Sequence, residues 1–258
     1  MTENCPRCLR RQRIAKWMLR IAVVAMFLVI VYYILAPVAS VHEAASRMQS
    51  SNNLKQIVIA MHTDHDARNH LPGANAPHLD LRGGGGKHPV SWRVLLLTYL
   101  DDDGHGVPML SYRFDEPWDG PNNIQLVDQI PKVYRHPKAD SANVPAGYTH
   151  YRVFVSRAGV KPSAIFTDGM PGPKMHEITH GTSNTILIVE AAEAVPWTMP
   201  EVLLYDRDQP VPKLGGLFKN IFQVALADGS VRSFRSDMPE DQLRAWITKD
   251  GGEIAVEE

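Results

Sequence analysis

The residues best suited to chemistry begin with His62-Thr63-Asp64-His65-Asp66, with His70 close behind. On a helix His62 and His65 lie about 300° apart, so they share a side and can both reach one metal ion. No His-Glu-x-x-His motif is present, and no third ligand stands at a defined spacing. The alternative is structural: His65 packs under a globular head while His62 and the aspartates face water. Cys5-Pro-Arg-Cys8 holds both cysteines of the chain and is half of a zinc site, with no second pair or histidine near it. It reads as a metal site completed by another subunit, as an inert or redox-active pair, or as a lipid attachment point. Asp101-Asp102-Asp103-Gly104-His105-Gly106 is a third candidate. Three adjacent carboxylates repel unless they are solvated or bridged by a cation, and oxygen ligands suit calcium. The spacing is not that of an EF-hand, because Tyr99 stands where the first ligand belongs. A solvated turn is the competing reading.

Serine chemistry finds less support. There is no G-x-S-x-G, and Gly181-Thr182-Ser183-Asn184 enters a strand without the turn that would expose a nucleophile. Glu190 closes an apolar strand, where burial would raise a carboxyl pKa and suit a general acid; a hydrogen-bonded structural glutamate is the alternative. Trp118 and Trp197, both beside prolines, have the shape of a sugar-binding platform, against the ordinary role of tryptophan in packing under a loop. The four glycines Gly83 to Gly86 are followed by Lys87-His88-Pro89 rather than by the Lys-Ser/Thr of a phosphate loop, so residues 73–90 read as a flexible loop. These groups assemble no reaction.

The elements that must position them start with a long stem. Ile21 to Ala36 is an uncharged apolar run, and with Trp17 to Arg20 it spans about 30 Å as a helix, the thickness of a bilayer core. A cleavable signal peptide is the rival reading, with Pro37 to Ser40 as a weak site. Pro37 should kink or briefly break the helix. Beyond it Val41, Ala44, Ala45, Met48, Leu54, Ile57, Val58, Met61 and His65 recur at spacings of three and four, apart from the polar patch Ser50 to Asn53, and make an amphipathic helix that stops before Leu71-Pro72-Gly73. Ser91 caps a short helix whose inward face is Trp92, Leu95, Leu96 and Tyr99. A further helix, capped near Asn122, runs to about Gln129. Tyr148 to Val155, Thr182 to Ala191, Phe222 to Ala227 and Ser230 to Phe234 read as strands. Asp228-Gly229 marks a type I′ hairpin turn between the last two. Asp237-Met-Pro-Glu240 resembles a capping box before a closing helix with Leu243, Trp246 and Ile247 on one face. This order makes an α+β domain with a mainly antiparallel sheet packed against the amphipathic helix.

The net charge of −1 conceals an asymmetry: residues 1–36 carry +5 and the remainder −6. Basic residues ahead of the apolar run place the N-terminus in the cytoplasm and the head outside. The mildly acidic head has no basic stripe to follow phosphates, which argues against nucleic acid. The expected organisation is therefore a basic cytoplasmic tail over 1–16, a transmembrane helix over 17–37 and an extracytoplasmic head over 38–258. The bilayer is one partner, and proteins reached through the stem helix are others.

A stem continuing into an amphipathic helix that carries a head is the architecture of type IV pilins and pseudopilins. Glu43 to Ile57 (EAASRMQSSNNLKQI), His62, His65-Asp66, Ser91 to Leu97, Asp115 to Asp119 with Pro121-Asn122, Gly181 to Ile186, Val195 to Trp197 and Ala227 to Val231 together resemble the domain-of-unknown-function family 1559. The resemblance covers about residues 40 to 250. The family is similar to pseudopilins and is also catalogued under a bacterial solute-binding label. It implies an architecture more than an activity. Many members begin with a prepilin leader, Gly-Phe-Thr-Leu-Ile/Val-Glu; this tail shows Cys5-Pro-Arg-Cys8 instead, which points to one head held at a membrane rather than a polymerising subunit. The family's C-terminal signature, His then nine residues then Asp-Gly, meets Phe218 where its histidine belongs. The expectation is a non-enzymatic, membrane-anchored head acting in surface or secretion-related assembly. The alternative is a tethered glycan- or solute-binding module using Trp118, Trp197 and Glu190, with calcium at Asp101 to Asp103.

Overall fold

The computed structural model describes residues 6–79, 85–100 and 111–251, without the side chains of 6–15, 28, 32–40, 78, 79 and 85. Its helices are α1 (Pro6–Arg68), α2 (Trp92–Leu95) and α3 (Glu240–Ile247). Its strands are β1 (Pro77–Leu79), β2 (Gly85–Pro89), β3 (Tyr148–Arg152), β4 (Phe154–Ser156), β5 (Phe166–Thr167), β6 (Ile186–Pro196), β7 (Leu203–Tyr205), β8 (Ile221–Leu226) and β9 (Val231–Arg235). The chain divides into two units, residues 1–46 and residues 47–258.

The first unit is helical, and α1 continues through Pro37 without the expected break. Among its described side chains Trp17, Leu19, Ile21, Val24, Phe27 and Ile30 are exposed. Among the described residues no helix is long and apolar enough to cross a membrane. Part of the run Ile21 to Ala36 falls on side chains outside the described set.

The second unit is α+β. Strands order β3-β6-β8-β9 in a four-stranded antiparallel sheet. The amphipathic part of α1 packs into one core, where Leu54, Ile57, Val58 and Met61 are wholly buried with Leu187, Ile188 and Ala225. Each such side chain contributes about 1.5–3 kcal/mol. Leu243, Trp246 and Ile247 of α3 pack into a second core with Val189, Phe222, Val224 and Phe234. α1 stops at Arg68 because Asn69 turns to φ 59° and its N–H bonds back to the His65 carbonyl, a left-handed cap.

Several sequence expectations change in detail. β4 lies between β5 and β7 in a small parallel sheet. The glycine-rich loop carries an antiparallel ribbon, β1 with β2. The segment Asn123–Gln129 is a 3-10 helix rather than an α-helix, and Asn122 does not cap it with its side chain. The Glu116 carboxylate does that work, accepting the Asn122 and Asn123 N–H groups at 3.0 Å. The β8–β9 hairpin is not type I′. The Gly229 N–H bonds to the Leu226 carbonyl, so Ala227 and Asp228 are the central pair, and Gly229 alone takes positive φ, at 89°. No capping box forms before α3 either. Asp237 is held by Arg235, while Glu240 accepts Val211 N–H and reaches Arg244.

Candidate functional site

Glu190 sits within β6, not at its end, because the strand continues to Pro196. Its residue is 1% exposed, and its carboxylate is surrounded by donors. Oε1 accepts from the Ser50 hydroxyl of α1 and, at 3.0 Å, from His136 Nε2. Oε2 accepts the Gln223 backbone N–H of β8 at 2.8 Å. Ser50 Oγ also meets the Tyr151 hydroxyl of β3 at 2.8 Å, and Asn53 Nδ2 reaches that hydroxyl at 3.5 Å and the Arg135 carbonyl at 3.2 Å.

These contacts fix the proton positions. Lys138 N–H donates to His136 Nδ1 at 3.1 Å, so that nitrogen carries a lone pair and Nε2 carries the hydrogen. Ser50 gives its proton to Glu190 and therefore receives one from Tyr151. Asn53, Tyr151 and Ser50 thus form one directed chain ending at the carboxylate, with His136 and Gln223 closing it. Serine, histidine and carboxylate are all present, but the carboxylate stands between the other two. A serine nucleophile needs the imidazole beside its hydroxyl. Three donors on one carboxylate describe a structural tie between α1, β6, β8 and the segment after Tyr134.

A second buried group lies on the other side of Tyr151. Arg93, wholly buried on α2, donates from Nε and Nη2 to the Tyr151 carbonyl at 3.1 and 2.8 Å. Its Nη1 donates to Ser91 Oγ at 3.1 Å and the Met199 carbonyl at 3.3 Å. The guanidinium lies 4.8 Å from the Trp92 ring centre. Burial, reinforced by Arg152, lowers its pKa to about 9. Burial pushes the Tyr134 and Tyr151 hydroxyls well up, with Glu190 adding to the effect on Tyr151.

The remaining candidates go to separate places. His62 Nε2 donates to the Ala227 carbonyl at 2.9 Å, whereas His65 Nε2 accepts the Met175 N–H at 3.4 Å. The two rings serve different segments and do not converge. Asp64 is buried and bridged by Arg68 Nε at 2.8 Å, not in water as expected; Asp66 is exposed. Among the described residues no three His, Cys, Asp or Glu groups could hold a metal ion. Cys5, Asp101, Asp102, Asp103 and the Cys8 side chain lie outside the described residues. Trp197 is fully buried, donates from Nε1 to the Leu126 and Val127 carbonyls at 3.0 and 3.1 Å, and stacks on Tyr134, so no ring face is open to a sugar. Trp118 is half-buried in the turn after Glu116. Asp228 and Gly229 form part of the hairpin loop, with Val58 of α1 packed 3.8 Å from where a Gly229 Cβ would be.

The family model described as "Protein of unknown function (DUF1559)" matches residues 39–206, more than half of the chain. The chain belongs to the DUF1559 family. Ser50, Asn53, His136, Tyr151 and Glu190 all fall within the matched span, whereas the β8–β9 hairpin lies beyond it. Neither a curated protein nor a solved structure matches. In this DUF1559 domain Phe218 is 3% exposed, with its ring centre 5.1 Å from that of His136, so a benzyl group packs where the signature has its histidine. Ser50, His136 and Tyr151 escaped the sequence reading because single polar residues at wide separations leave no spacing to find. The one available signal was a lone glutamate in an apolar strand, which demands buried partners.

Proposed function

We propose that this DUF1559 protein is a non-enzymatic, single-pass anchored head, held outside the cytoplasmic membrane and acting in surface or secretion-related assembly. The observation that carries the reading is the open apolar surface of Trp17, Leu19, Ile21, Val24, Phe27 and Ile30 on α1, within a segment, residues 1–36, whose charge is +5. Side chains such as Leu19, Phe27 and Ile30 gain about 25 cal/mol for each Å² withdrawn from water, and a bilayer withdraws them all round. The head's buried polar cluster supports a structural role, because Ser50, His136 and the Gln223 N–H all spend hydrogen bonds on Glu190. Protease added to intact spheroplasts tests the topology. Digestion of the head with retention of a short membrane fragment is expected; a head shielded until lysis contradicts it.

A second reading is a tethered module for glycans or small solutes, with calcium at Asp101 to Asp103. It draws on Trp118, half-buried in a turn whose Asp115 and Asp119 are exposed. Calorimetry of the purified protein against calcium and a glycan panel separates the two, and flat traces remove the second.

A further inference from the structure

His150 lies at the edge of the Glu190 network and takes no part in it. It is 3% exposed, and its Nδ1–H donates to the Ala191 carbonyl at 2.9 Å. Its Nε2 is buried and has no hydrogen-bond partner among the described residues. Its ring stands edge-on to that of His136, with centres 5.8 Å apart. The titratable and charged groups around it are His136 from the segment after Tyr134, Glu190 from β6, its neighbour Tyr151 on β3, and Arg47 of α1 beyond the Phe218 ring.

We propose that the His150–His136–Glu190 cluster is an acid-sensitive latch on residues 47–53 of α1, fastening them when His150 is neutral and loosening them when it takes up a proton. A proton on Nε2 places an N–H with no acceptor, and a charge, in a desolvated cluster, a cost that the nearby Glu190 carboxylate offsets only in part. Relief comes where the wall parts most easily. β3, β6 and β8 are joined by backbone ladders, whereas α1 meets the cluster through the Ser50 and Asn53 side chains. Leu54, Ile57, Val58 and Met61 keep the part of the helix that follows in the core. Burial lowers the His150 pKa from 6.5, so the folded state holds the ring neutral where an unfolded chain would charge it. Stability is then complete above about pH 6.5 and falls as pH drops below it. This inference concerns the head alone and is independent of how the chain meets a membrane.

Hydrogen exchange of the full chain in detergent, corrected for intrinsic rates, reads the latch. Between about pH 7.5 and pH 5 the opening constant of amides 47–53 should rise by up to tenfold per unit below pH 6.5, the limit for one proton. His150→Asn keeps a donor for the Ala191 carbonyl and cannot be charged, so its opening should stay flat. Equal loosening in the variant, or no loosening in the wild type, overturns the proposal. Should the variant not fold, the His150 ring signal in the wild type decides: protonation must coincide with the loss of protection, and a ring still neutral after that loss overturns it.

Discussion

Ser50 on α1 donates its hydroxyl to the carboxylate of Glu190 on β6, across 140 residues of sequence, with both residues shut away from solvent. This contact explains why a polar patch interrupts the apolar face of α1. Ser50 and Asn53 are the helix's side of a buried network, not a gap in its packing.

Glu190→Ala would leave the Ser50 hydroxyl, His136 Nε2 and Gln223 N–H without their acceptor. At about 1–3 kcal/mol for each unsatisfied group, the head should lose at least 3 kcal/mol. Glu190→Gln, which turns a second donor toward those donors, should cost about 1–3 kcal/mol. Denaturant unfolding near neutral pH measures both.

Ser50→Ala and Tyr151→Phe remove adjacent links of one chain, so their costs should not add. A double-mutant cycle should return a coupling of about 0.5–3 kcal/mol. A coupling near zero would mean the two hydroxyls act separately.

The α+β class, the burial of Leu54, Ile57, Val58 and Met61, and the positions of β8 and β9 were legible from apolar patterning, because a face that must be buried repeats along the chain. β3 and β6 were legible in part: the stretch Tyr148 to Val155 splits between two sheets as β3 and β4, and β6 begins only at Ile186, after a 3-10 turn at Thr182–Asn184, and runs on to Pro196. The helix-side motif His62 to Asp66 was misleading for a physical reason. A shared side on a helix brings two imidazoles near each other, but each is aimed by what lies opposite, the Ala227 carbonyl for one and the Met175 amide for the other. Capping by Glu116 was hidden because it acts across a loop rather than from the cap position. Glu190 was visible as an acid in an apolar strand, yet its partners come from three other parts of the chain.

Alkali should destabilise the head. Burial raises the hydroxyl pKa of Tyr112 to about 12, and those of Tyr134 and Tyr151 also rise above the ordinary 10.0. The folded state therefore keeps protons that the unfolded chain releases, and stability falls as pH rises past about 10. Arg93 works the other way, since its lowered value of about 9 lets the folded state release a proton first. Three tyrosines against one arginine leave a net loss. Near-ultraviolet absorbance should show these tyrosines ionising only as the head unfolds.

Gly147→Ala tests the docking of the 3-10 segment against β3. Gly147 has φ 79°, and a Cβ there would lie 2.2 Å from the Val127 carbonyl oxygen, which itself accepts from Trp197. Neither the backbone angle nor the contact can be relieved by a rotamer change, so a loss of about 2 kcal/mol or more is expected. Thermal unfolding, with Trp197 fluorescence as the probe, follows it.

The central claim, that the exposed apolar stretch of α1 is a bilayer anchor, is tested most directly by alkaline carbonate extraction of membranes carrying the full chain, beside a variant with Val24→Arg and Phe27→Arg. Each arginine near the middle of a spanning helix costs about 2.5–3.5 kcal/mol of insertion. The account predicts that the wild-type chain stays in the membrane pellet and that the variant moves to the supernatant. A wild-type chain released by carbonate, or a variant retained as firmly as the wild type, would contradict it.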